Sequence, residues 1–65
     1  MRITIEEAVS MAKREFLKVE GIVGVGHVGN TIVFYVESEA DRAKVPPSYL
    51  GFPVIVKVVG RVGLL

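Results

Sequence analysis

Sixty-five residues with no cysteine make one domain spanning 1–65, with neither disulfides nor a thiolate metal site to support its core. Eight Lys and Arg against seven Asp and Glu leave a net charge of +1, too balanced to imply nucleic acid or an acidic membrane surface. No apolar run approaches the roughly 18 residues of a membrane span.

The opening MRITIEE has two early acids and no apolar stretch, which does not fit a secretory leader; a cytoplasmic protein is expected. A chain of this size buries only about 60% of its unfolded surface. Yet 51% of it is hydrophobic and the mean hydropathy is +0.51. One small core cannot hide that much, so a homo-oligomer, with a dimer as first expectation, resolves the surplus. Glutamine is absent and Asn30 is the lone asparagine, an amide depletion that fits a thermophilic source.

In chain order, Thr4-Ile5-Glu6-Glu7 fits a capping box, a threonine N-cap with a glutamate three residues on. Ile3 before the cap and Ala8 after it supply a hydrophobic staple. The helix is expected from Ile5 to Lys18. Ile5, Ala8, Val9, Ala12, Phe16 and Val19 recur at steps of three and four, which makes one apolar stripe. Glu6 and Glu7 in the first turn and Lys13, Arg14 and Lys18 towards the end both suit the helix dipole.

Gly21 ends that element, and GIVGVGHVGNTIVFYV follows, the stretch around which the rest is organised. Ile22 to Val28 and Thr31 to Val36 are β-branched and aromatic runs, and Gly29-Asn30 between them suits a tight hairpin turn. With those two as the loop, Val28 faces Thr31, His27 faces Ile32, Val25 faces Phe34 and Val23 faces Val36. One face then carries Val23, Val25, Ile32, Phe34 and Val36 as the core, with His27 near the turn. The other carries Ile22, Gly24, Gly26, Val28, Thr31, Val33 and Tyr35, with side chains lying over the bare glycine backbone.

Beyond the hairpin the composition turns to charge and then to proline. Ser38 with Asp41 three residues on allows a short helix over Glu39 to Lys44, which Pro46-Pro47 cannot continue. A turn over Ser48 to Gly51 seats Tyr49 or Leu50 on the core. A third strand follows from Val54 to Val59, where Lys57 marks the more exposed side. The fold class is α+β: one long N-terminal helix on a three-stranded sheet, in the order α-β-β-(short α)-β. The third strand either continues a meander or crosses over to lie beside the first.

Several strings invite a chemical reading. Gly24 to Gly29 satisfies G-x-G-x-x-G, but dinucleotide binding needs a helix to begin at the third glycine, and here a strand does. Gly26 to Gly29 spells the GXXG of a KH loop, which joins two helices rather than two strands. His27 is the sole histidine and lacks the partners that catalysis or metal binding would need, so a solvent-facing residue near the turn is the reading. No serine has a nucleophile-elbow context, and Glu37, Glu39 and Asp41 form a loop cluster without an acid/base pair. No cofactor and no catalytic residue is expected.

Three function classes remain. The first is a non-enzymatic, self-associating interaction or scaffold module, its oligomer interface drawn from Val33, Tyr35, Ile55, Val59, Val62, Leu64 and Leu65. The second is a nucleic-acid-binding module using Lys13, Arg14 and Lys18 at the basic end of the helix. An enzyme or ligand-binding protein with a site shared between subunits comes third.

Gly21 to Gly26, Thr31 to Val36, Val45-Pro46 and Leu50 to Val54 with valines running on to Gly60 together form a pattern. It resembles a small domain found ahead of trypsin-like peptidase domains and in short stand-alone proteins, over Val19 to Gly60. No catalytic residue of a peptidase carries over onto any position here. What the resemblance implies is a structural or accessory module.

Overall fold

A computed structural model describes residues 3–60. Helix α1 (Ile5–Phe16) opens with the capping box: Thr4 Oγ1 accepts from the Glu7 N–H at 3.1 Å, and Glu7 Oε1 accepts from the Thr4 N–H at 2.9 Å. Ile3 packs against the core beneath it, and Ile5, Ala8, Val9 and Ala12 form its buried stripe. The helix ends at Phe16 rather than Lys18. Leu17 caps it through its N–H to the Lys13 carbonyl, and Val19 turns back to the Phe16 carbonyl.

Strands β1 (Ile22–Val28) and β2 (Thr31–Val36) form the expected antiparallel hairpin, with Val28, His27 and Val25 opposite Thr31, Ile32 and Phe34. Of the two loop residues, Gly29 alone has a positive φ, +59°, the pattern of a turn that needs glycine at its first position. The register departs from the simple count further along. A bulge between Ile22 and Gly24 makes Ile22, not Val23, the partner of Val36. Ile22 is therefore buried in the core while Val23 is 50% exposed.

The segment η1 (Glu39–Lys44) forms where a short helix is expected, as a 3-10 helix. The sheet then differs from expectation. Among the described residues it has four strands, because β3 (Ser48–Tyr49) precedes β4 (Phe52–Val58), and their order is β1-β2-β4-β3. The final strand begins at Phe52 rather than Val54. It lies parallel to β2 with Ile32 opposite Val54 and Val36 opposite Val58, neither a meander nor a place beside β1. A two-residue strand between proline and a turn is too short to show alternation, which is why it escapes a pattern reading.

The β3–β4 connection is a two-residue turn, Leu50 and Gly51, with φ of +51° and +87°. Two positive values in succession define the turn that matches strand twist. Pro53 sits at the start of β4, opposite Ser48, where a proline interrupts little of the ladder.

The core lies between α1 and one face of the sheet: Ile5, Ala8, Val9 and Ala12 against Ile22, Val25, Ile32, Phe34 and Val36. Phe34, the largest fully enclosed side chain, meets Phe16 edge-on at a centroid distance of 5.1 Å. Phe16 meets Tyr49 edge-on at 5.6 Å. Tyr49 is thus the residue of the turn region that reaches the core, while Leu50 is 45% exposed. Among the described residues no buried side-chain polar atom lacks a partner.

Candidate interaction surface

The second sheet face is built by the residues that alternate with the core set: Gly24, Gly26 and Val28 on β1, Thr31, Val33 and Tyr35 on β2, Ile55 and Lys57 on β4. The Tyr35 ring lies over both glycines. A Cβ added at Gly24 would stand 3.4 Å from Tyr35 Cδ2, and one at Gly26 would stand 3.8 Å from Cε2. Glycine here makes room for an aromatic ring, the packing that the sequence implies and not a phosphate cradle. Val33 is fully buried, so of the candidate interface it offers no surface of its own. Tyr35 is half-buried, Ile55 is 45% exposed, and Val59 is exposed just past β4. Val28, at the hairpin end, is 68% exposed. Val62, Leu64 and Leu65 lie outside the described residues.

At one end of the sheet a polar junction ties η1 to the turn between α1 and β1. The Asp41 carboxylate accepts from the Ser38 N–H at 3.2 Å and from the Ser38 hydroxyl at 3.0 Å, and pairs with Lys44 Nζ at 2.9 Å. Lys44 also donates to the Glu20 carbonyl at 2.7 Å. Gly21, with φ of +99°, lets the carboxylate approach the backbone; a Cβ there would fall within 2.3 Å of Asp41 Oδ1. The Lys44 hydrogen bond, followed by that of Ser38, holds the Asp41 carboxyl below the usual range. This is an architectural knot: both Asp41 carboxylate oxygens are engaged within η1 and its N-cap, and Lys44 carries the link across to the α1–β1 turn.

His27 is exposed, with Nδ1 3.2 Å from the Gly29 carbonyl, a local contact at the hairpin turn. Lys13, Arg14 and Lys18 are all exposed around the end of α1. Glu15 and Glu20 are interleaved with them, so that surface is mixed in sign rather than uniformly basic. Glu15 itself accepts from the Tyr49 hydroxyl at 2.7 Å, and burial followed by this carboxylate raises the Tyr49 phenol above its ordinary range. Among the described residues no cluster of His, Asp and Glu is arranged to hold a metal ion, and no helix is long and apolar enough to cross a membrane.

No family model, curated protein or solved structure matches the chain. Its chemistry therefore has to be read from the surface alone. The strand order, which the sequence pattern leaves open, sets which edges of the sheet lack a partner strand among the described residues.

Proposed function

We propose that this chain is a non-enzymatic interaction or scaffold module that works by associating with copies of itself. The observation that carries the reading is the one-sided core. The helix, with Val45, Tyr49 and Phe52, covers a single face of the sheet, and the other face leaves Val28 mostly, and Ile55 nearly half, exposed to water. Burying one such aliphatic side chain is worth about 1.5–3 kcal/mol, a large gain for a domain of this size. An accessory role of this kind also agrees with the resemblance carried by the glycine, proline and valine positions.

The test is the mass in solution, measured by light scattering coupled to size exclusion over a range of concentrations. A multiple of the 7.1 kDa chain mass is expected. A monomer throughout would refute self-association.

A further inference from the structure

We infer that the copies join through the open edge of β1, paired antiparallel with the same strand of a second chain about a two-fold axis at Gly26. This rests on the self-association proposed above and specifies its backbone pairing, which draws the exposed Val28 of β1 into the contact and leaves Ile55 of β4 on the outer face of the joined sheet.

The backbone identifies the kind of partner. The Glu37 N–H donates to the Gly21 carbonyl at 2.8 Å, which marks Gly21 and Glu37 as a hydrogen-bonding pair of the ladder. Alternation across the bulge then makes Gly24, Gly26 and Val28 the residues bonded to β2. Val25 and His27 turn their N–H and C=O groups outward, and β1 has no neighbour on that side among the described residues. Such an edge is a template for an added extended strand. From Ile22 to Val28 it carries no proline and no Asp, Glu, Lys or Arg, the residues that usually protect an edge.

The sequence of the edge fits itself. With Gly26 opposite Gly26 of the second copy, Val25 and His27 of each chain exchange hydrogen bonds with His27 and Val25 of the other, four bonds in all. Gly26 falls at a close, non-hydrogen-bonded position, where two bare backbones approach without collision. The exposed Val28 side chain falls opposite Gly24 of the second copy, beside the Tyr35 ring that lies over that glycine. The sheet's other edge does not fit itself in the same way. The Val59 N–H donates to the Val36 carbonyl and the Val54 N–H to the Pro47 carbonyl, so on β4 it is Val56 and Val58 that face outward. Pairing those two residues with a second β4 would set Lys57 directly against Lys57, a repulsive cross-strand pair. Charge selects β1.

The chain has no cysteine, so single-cysteine variants report the register directly. In the proposed pairing the Gly26 Cα atoms stand about 4.5 Å apart, within disulfide reach, whereas Gly24 and Val28 each face the other residue type. Under mild oxidation Gly26→Cys is expected to form a covalent dimer, with Gly24→Cys and Val28→Cys remaining largely uncrosslinked. His27→Pro removes an outward N–H and no bond to β2, so it is expected to weaken the dimer at least tenfold while the circular dichroism spectrum is kept. Wild-type protein that is monomeric at every concentration overturns both self-association and this geometry. An oligomer that survives His27→Pro, or that cross-links at none of the three positions or equally at all, overturns the edge pairing alone. If His27→Pro does not fold, the cysteine pattern decides by itself.

Discussion

Gly21→Ala places a methyl group where the Asp41 carboxylate already lies. Two separate costs follow. Alanine held at a φ of +99° bears the strain of left-handed backbone, about 1–2 kcal/mol. The added Cβ also overlaps Asp41 Oδ1 at 2.3 Å, and overpacking of this sort typically costs about 1–3 kcal/mol. Together these come to about 3 kcal/mol, which at 4–8 °C per kcal/mol for a domain of this size lowers Tm by more than about 10 °C. The two costs separate in a double-mutant cycle with Asp41→Ala, measured by urea titration followed by circular dichroism. Once the carboxylate is gone the overlap is relieved, and Gly21→Ala should cost only its backbone strain, about 1–2 kcal/mol. Strictly additive costs would mean that Asp41 does not occupy the space above Gly21, and the junction between η1 and the α1–β1 turn would be wrong. The same carboxylate gives a pH signature. Its folded-state pKa is depressed by Lys44 and Ser38, so its contribution is full above the ordinary value of 3.8 and is lost as pH falls through the folded value. Asp41→Asn should therefore flatten the fall of Tm on acidification.

Leu50→Asn should stabilise the domain by about 1 kcal/mol, because asparagine tolerates the φ of +51° that strains an exposed leucine; a lowered Tm would count against the turn geometry. Phe34→Ala should cost about 3–5 kcal/mol in denaturant titration, since the ring is fully enclosed and in contact with Phe16, and a loss under 1 kcal/mol would contradict that core. For Tyr49 the folded phenol titrates above its ordinary value of 10.0, so its contribution is complete below that value and declines as pH rises beyond it. Tyr49→Phe should make the alkaline limb of the Tm profile shallower, and an unchanged limb would mean that the hydroxyl is neither shielded from water nor held by Glu15.

Where local chemistry decides, the residues spell out the structure. Thr4 with Glu7 announces the helix start, the 3.6-residue stripe gives its buried face, and Gly29 sets a hairpin whose first five pairs match a simple count. Tyr35 over Gly24 and Gly26 is equally legible, since a bare backbone opposite an aromatic admits few other arrangements. What escaped was decided at longer range or by a single inserted residue. The Val23 bulge exchanges Val23 for Ile22 in the core, and two aliphatic β-branched neighbours give no signal as to which will be squeezed out. The placement of β4 beside β2 depends on the path of η1 and β3, and the alternation of Val54, Val56 and Val58 is the same for any neighbour. Of the candidate interface, Ile55 and Val59 are exposed as the excess of apolar residues implies, whereas Val33 is spent inside the monomer.

The parallel pairing of β2 with β4 bears on how the chain is made. The helix and hairpin involve neighbours in sequence and can close as soon as they are synthesised, but β2 gains its second partner only when Phe52 to Val58 have left the ribosome. Until then the middle strand is itself an edge, and its run of Ile32, Val33, Phe34, Tyr35 and Val36 is the most adhesive segment of the molecule. Closing the long connection through η1 and β3 is thus the step expected to come last, and chains stalled before it would expose the stretch best suited to aggregation. Pairing with β4 is therefore what removes β2 from the edge of the sheet.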